Sequence, residues 1–126
     1  MELYSEAVEL HKKGQLAGAE EAYRKVIKQD PKHADAHHQL GVLLLDLYGQ
    51  QRFDEARALI QQSINIVPKQ AKYRHSLGVA LRNAGRKEEA VDAFEAANEK
   101  DPMNVQILWN LARTLREAGR KARAAE

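Results

Sequence analysis

His33 and His37 stand four residues apart, a spacing that puts two imidazoles on one helix face, where a metal ion could bridge them. No glutamate of an H-E-x-x-H motif lies between them, and His33 follows Pro31 in a turn, so both read as exposed helix polarity. Ser5, Ser63 and Ser76 fall within helical pattern, without the strained Gly-x-Ser-x-Gly turn that presents a nucleophile. Glu88-Glu89 reads as favourable charge in the first turn of a helix, not as a catalytic pair. The absence of cysteine removes disulfides, thiolate metal ligands and a cysteine nucleophile. No glycine-rich phosphate loop occurs. The expectation is a chain that is not an enzyme and takes no metal or cofactor.

The elements that must position any other site are plainest between Leu77 and Pro102. Leu77, Leu81 and Ala84 lie at i, i+4 and i+7, one apolar helix face. Gly85 then breaks the pattern, as a glycine just past a helix end does. Ala90, Phe94 and Ala97 form a second apolar face, closed by Asp101-Pro102. Small residues at Gly78 and Ala90 let the two helices approach, with Phe94 between them. A lone hairpin of this size cannot bury both its sides.

The chain supplies neighbours. Ala19, Tyr23, Val26 and Pro31 repeat the spacing of Ala90, Phe94, Ala97 and Pro102, and Ala56, Ile60, Ser63 and Pro68 repeat it again. Leu40-Gly41 with Leu44 and Leu111-Ala112 with Leu115 match Leu77-Gly78 with Leu81. Pro68 and Pro102 are 34 residues apart, Pro31 and Pro68 are 37 apart, so the second repeat carries three extra residues around Gly49. They predict a longer turn from Tyr48 to Arg52, with Phe53 folded back as an apolar plug. A 34-residue helix–turn–helix with a Leu-Gly pair, a later Ala, an aromatic four residues on and a terminal Pro resembles the tetratricopeptide repeat (TPR) family. The first repeat departs from that pattern with Glu6-Ala7, the second with Ile60.

The resemblance implies an all-α, right-handed α-solenoid of antiparallel helix-turn-helix repeats, about three and a half of them, whose first (A) helices line a concave groove. The repeats run over about 1–33, 34–70, 71–104 and, incompletely, 105–126, one domain read as part of a longer array. Helices are expected at Glu2–Lys13, Gln15–Gln29, Ala34–Leu47, Asp54–Val67, Ala71–Ala84, Lys87–Lys100 and Val105–Ala118. Gly119 then marks a turn, and the residues after it, including Ala124, read as the opening of a further helix. Leu108, Leu111 and Leu115 repeat the inward spacing and leave an apolar face that a second copy would cover, which makes a homo-oligomer an expectation.

Composition agrees. A chain 44% hydrophobic but only 6% aromatic suits helices packed through small contacts. No apolar run is long enough to span a membrane, and residues 1–20 show no secretory or transit pattern. The cytoplasm is the default compartment. A net charge of +2 argues against a nucleic-acid partner, although five cations against two anions between Leu111 and Glu126 place a basic excess at that end.

The resemblance also points to binding residues. The equivalent groove-facing A-helix positions read Tyr4, His38, His75 and Trp109, then Val8, Val42, Val79 and Arg113, then His11, Leu45, Arg82 and Arg116. The partner-binding residues expected from these are Tyr4, His38, Val42, His75, Val79, Arg82, Trp109, Arg113 and Arg116. The groove is then acidic near Asp35 and Asp46, and basic near Lys72, Arg82, Arg113 and Arg116. TPR domains that clamp the carboxyl terminus of chaperones use Lys and Asn where this chain has Tyr4 and Val8, so that clamp is not expected. The leading expectation is a non-enzymatic scaffold that binds a protein or peptide of acidic character in its groove. A substrate-recruiting helical module of a larger enzyme, such as a glycosyltransferase, is an alternative, and self-assembly through exposed repeat faces is another.

Overall fold

Proline and glycine set the ends of the helices. In the computed structural model, which describes residues 2–125 and the side chains of residues 2–119, the elements are α1 (Leu3–Lys12), α2 (Leu16–Gln29), α3 (Ala34–Tyr48), a 3-10 turn (Gly49–Arg52), α4 (Phe53–Ile66), α5 (Ala71–Asn83), α6 (Lys87–Lys100) and α7 (Val105–Ala125). Asp30, Val67 and Asp101 each cap a helix and precede a proline, and their ψ angles of 86°, 83° and 73° carry the chain out of helical geometry. Proline imposes this on the residue before it by steric conflict.

Two hairpins turn through the same device. Gly14 (φ 79°) and Gly85 (φ 81°) adopt the left-handed backbone. The amides flanking each turn then satisfy carbonyls at the helix end: Gln15 N–H donates to Leu10 (2.9 Å) and Gly14 N–H to His11 (3.1 Å), and Arg86 and Gly85 do the same to Leu81 and Arg82 (2.9 and 3.0 Å). This is a Schellman motif in both places. Two helix starts are capped by side chains. The Ala36 amide donates to His33 Nδ1 (3.1 Å) at α3, and the Ile107 amide donates to Asn104 Oδ1 (3.2 Å) at α7.

The chain divides into two compact units, Met1–Pro68 and Lys69–Glu126. In the first, α1 packs on α2, α2 on α3 and α3 on α4, around Ala7, Ala19, Ala22, Tyr23, Leu40, Leu43, Leu44 and Ala56. In the second, α6 packs on both α5 and α7, and Ala71, Ala97 and Ile107 meet at the centre. The close crossings fall at glycine. A Cβ on Gly41 would sit 2.8 Å from Ile60 Cγ1 and 2.9 Å from the Ala56 carbonyl, and one on Gly78 would sit 2.5 Å from the Phe94 ring. Phe94, Tyr23 and Ile60 are fully buried, as their shared position in the repeat requires.

The extra residues of the second repeat are accommodated in the turn. Tyr48 stays in α3 instead of starting the loop, and Gly49–Arg52 forms one 3-10 turn. Phe53 is buried at the start of α4, as its place three residues before Ala56 requires. The Tyr48 hydroxyl donates to Glu20 Oε1 (3.0 Å), which ties the end of α3 to α2.

One expectation is corrected. Gly119 does not turn the chain: it has no positive φ, and α7 continues through it to Ala125. Leu108 and Leu115 stand 42% and 47% exposed, the bare apolar face expected of this helix, while α7 uses Ile107 and Thr114, both buried, to face its unit. Leucine spacing alone could not show which of two apolar faces α6 would occupy. The side chain of Ala124 lies outside the described residues.

Candidate functional site

In the first unit the expected binding residues are largely held by the protein itself. Tyr4 on α1 is half-buried, with its ring centroid 4.6 Å from that of His33 and 6.1 Å from that of Tyr23. Burial, with Asp35 nearby, pushes the Tyr4 hydroxyl above its usual range. Tyr23 beneath it is pushed up to about 12, chiefly by burial, and its hydroxyl lies 3.1 Å from His11 Nδ1. His38 on α3 is buried and Val42 half-buried, so this stretch offers a wall more than an anchor.

The paired histidines are not solvated polarity. His33 Nδ1 caps α3, so that nitrogen acts as an acceptor. His37 is buried, and its Nε2 donates to the Pro31 carbonyl at 2.8 Å. Both rings thus fix the chain around Pro31, and a turn followed by a helix start was the signal available for that role. Among the described residues no group of three or more His, Cys, Asp or Glu side chains could hold a metal ion.

The second unit gathers the rest. His75, Val79 and Arg82 follow one another along α5, and Trp109, Arg113 and Arg116 along α7. Asn110 joins the two rows. Its Oδ1 accepts from Arg113 Nη2 (3.1 Å), which leaves its Nδ2 to donate to His75 Nε2 (2.8 Å). Arg113 places its guanidinium carbon 4.9 Å from the centroid of the Trp109 ring, a cation–π contact. Trp109 remains 55% exposed and Val79 38%. An open depression of about 430 Å³ is lined by Val105, Gln106, Trp109, Asn110 and Arg113. Burial lowers the His75 pKa below its ordinary 6.5, in keeping with a ring nitrogen that accepts from an amide.

Arg82 is engaged differently from the expectation. Its Nη2 donates to Glu117 Oε1 at 2.6 Å, and Lys87 Nζ lies 3.5 Å from the other oxygen. The hydrogen bond from Arg82 holds the Glu117 carboxyl below the usual range. Positive charge is therefore offered by Arg113 and the exposed Arg116, while Arg82 locks α5 to α7. Asn110 and Glu117 escaped the sequence reading. Each lies 35 residues from its partner, one repeat plus one, and that offset was the available signal.

This architecture matches known proteins. Tetratricopeptide repeat family models match residues 10–81 and 75–126. The chain belongs to the tetratricopeptide repeat family. A Candida albicans peroxisomal targeting signal receptor is 34% identical over 93 residues, covering 74% of this chain and 15% of that protein. The chain thus spans about one-seventh of the length of that curated relative. Among solved structures, the first TPR of Spaghetti (RPAP3), bound to an HSP90 peptide, aligns with a TM-score of 0.85 at 19% identity, over 93% of this chain and 90% of that one. A mutant of the Thermobaculum terrenum O-GlcNAc transferase aligns with a TM-score of 0.81 at 26% identity, over 90% of this chain and 21% of that one. No helix among the described residues of this TPR chain is long and apolar enough to cross a membrane.

Proposed function

We propose that this TPR chain is a non-enzymatic interaction scaffold that holds an acidic peptide or protein segment against the A helices of its repeats. The observation that carries this reading is the braced cluster His75–Asn110–Arg113–Trp109. An exposed tryptophan beside a guanidinium that is already oriented offers an interface anchor at low ordering cost. Positive charge at Arg113 and Arg116 speeds encounter with an acidic segment, and Trp109 with Val79 supplies apolar contact. The known relatives, a targeting-signal receptor and a peptide-bound TPR domain, favour an interaction role.

A selection of displayed random peptides against the chain tests this. Enriched peptides should carry Asp or Glu, and their affinity should fall at least about tenfold in Trp109→Ala and Arg113→Glu while helicity is kept. Enrichment without acidic bias, or binding that survives both changes, would remove the cluster from the mechanism. A second reading, a substrate-recruiting module attached to a larger enzyme, is favoured by the likeness to part of an O-GlcNAc transferase. Recruitment would use the same surface, with catalysis elsewhere.

A further inference from the structure

An asparagine side chain has one accepting end and one donating end, and Asn110 uses both. Its Oδ1 accepts from Arg113 Nη2 at 3.1 Å, and its Nδ2 meets His75 Nε2 at 2.8 Å. The second contact is a hydrogen bond only while Nε2 carries no proton, so the direction of the amide is tied to the charge of the ring. Arg113 depends on that direction. Its Nε is buried without a hydrogen-bond partner, and among the described residues Asn110 Oδ1 is the one acceptor that its guanidinium meets.

Protonation of His75 reverses this chain of bonds. Nε2 becomes a donor, and two donors then face each other across 2.8 Å. The amide can answer by turning over, because its terminal torsion is broad and roughly two-fold. Oδ1 then accepts from the imidazolium, and Nδ2 confronts Arg113 Nη2, donor against donor. The guanidinium loses its acceptor and gains a second cation behind Asn110. No carboxylate beside the ring offsets this. From α6 the ring meets Phe94, with centroids 5.7 Å apart, while the α6 carboxylates Glu88, Asp92, Glu95 and Glu99 are exposed. From α7 it meets Asn110, with Arg113 behind. On α5 the charges to either side are cationic, Lys72 and Arg74 before it and Arg82 after it. Glu117 lies two turns beyond Asn110 and is held by Arg82 and Lys87. Burial already lowers the His75 pKa below 6.5, so the ring charges only in acid.

We propose that the Asn110 amide is a pH latch on this site. With His75 neutral it holds Arg113 beside Trp109 for an acidic segment; with His75 protonated it turns over, frees Arg113 and releases the segment. The latch presupposes that the cluster is the acidic-segment site proposed above. Its sign is the reverse of simple electrostatics, in which a new cation at His75 would tighten an acidic ligand. Losing the prior orientation of one long side chain corresponds to about a threefold to tenfold loss of affinity. His75 is thus a positioning residue that acts through Asn110.

The test first titrates the unliganded chain from about pH 7.5 to about pH 5. NMR follows the His75 ring and the Asn110 side-chain amide, and fluorescence follows Trp109, the single tryptophan. All three should move with one midpoint, below 6.5. In Asn110→Asp an oxygen faces both partners, so His75 should still titrate while the Trp109 step disappears; this also separates the latch from direct quenching by the imidazolium. A second arm measures binding of a labelled Glu-Glu-Phe-Glu-Glu peptide at about pH 7.5 and about pH 5.5, with helicity checked at each pH. The wild-type affinity should fall about threefold to tenfold in acid, and that fall should be absent in His75→Gln, which keeps a neutral acceptor near the place of Nε2. Protonation of the peptide is slight at about pH 5.5 and the same for both chains. An Asn110 or Trp109 signal that does not follow His75, a Trp109 step that persists in Asn110→Asp, or a wild-type affinity that is flat or rises in acid overturns the latch. A peptide that does not bind at about pH 7.5 overturns the acidic-segment reading and the release with it, even where NMR shows the amide turning.

Discussion

Leu77 and Leu81 on α5 and Leu111 and Leu115 on α7 hold the same places in their repeats, yet the first pair is buried and Leu115 is 47% exposed. The turns after them differ in the same way. Gly85-Arg86-Lys87 and Gly119-Arg120-Lys121 are the same tripeptide, but Gly85 turns at φ 81° while Gly119 continues the helix. After Gly85 the chain brings Ala90, Phe94 and Ala97 onto α5, where all three are fully buried. Burying one phenylalanine contributes about 1.5–3 kcal/mol, whereas carrying a helix through glycine instead of alanine costs about 1 kcal/mol. The turn forms where folding back is rewarded. A local stop signal is permission, and tertiary burial decides whether it is used.

The sharpest way to break the contrast is to remove the reward. Phe94→Ala should cost about 3–5 kcal/mol in equilibrium denaturation, because the ring is fully buried against Gly78. Loss of less than about 1 kcal/mol would mean that α6 is not held by this side chain. The crossing itself should respond next. Gly78→Ala puts a methyl 2.5 Å from the ring and is expected to cost about 1–3 kcal/mol by overpacking. Its counterpart Ala112→Gly meets no neighbour and should lose only the helix-propensity difference, about 1 kcal/mol or less. Equal effects at the two positions would show that the faces of α5 and α7 are not distinguished by what covers them.

The same contrast explains what the sequence made legible. The hairpins can be read because each needs a small residue, an aromatic or branched knob and a terminal proline at fixed spacing, and those requirements are local. Phe53 could be placed because it keeps its offset from Ala56 despite the inserted residues. The braces of the candidate site could not be read. Asn110 reaches His75 and Glu117 reaches Arg82 across a whole repeat, through side-chain directions that periodicity does not encode. For the same reason Arg82 looked like an offered cation. His37 looked exposed because a polar residue near a helix start usually is; its burial follows from a hydrogen bond to the Pro31 carbonyl behind it. Leu108 and Leu115 matched the leucine spacing of other repeats, but spacing does not say whether a partner arrives.

Glycine substitution tests the turns directly. Gly85→Ala should destabilise by about 1–2 kcal/mol, since alanine must enter the left-handed region there. Gly119→Ala should stabilise α7 by up to about 1 kcal/mol, because the residue sits inside the helix with open space around its Cβ. Opposite signs are the expected outcome. A destabilising Gly119→Ala would show that this glycine does turn the chain, and α7 would end before it.

The smallest expected effect is in the pH dependence of the contact between α5 and α7. Burial lowers the folded pKa of His75 below 6.5, and Arg82 holds that of Glu117 below 4.5. In both cases the unfolded chain takes up the proton at higher pH than the folded one, so acid favours unfolding. His75 acts first: its contribution is complete above pH 6.5 and declines as pH falls through the lower folded value. Protonation would also place a hydrogen on Nε2, where the Asn110 amide already donates. The Glu117 contribution is complete above about pH 4.5 and declines below it, as the carboxylate that accepts from Arg82 is neutralised. Denaturation curves should therefore shift gently to lower stability between pH 7 and 5, and more steeply below that as other carboxylates protonate. His75→Asn should flatten the first interval and leave the second alone, whereas Glu117→Gln should do the reverse. A His75 ring titration by NMR with a midpoint at or above 6.5 would remove the histidine from this account, and with it the reason for Asn110 to face α5.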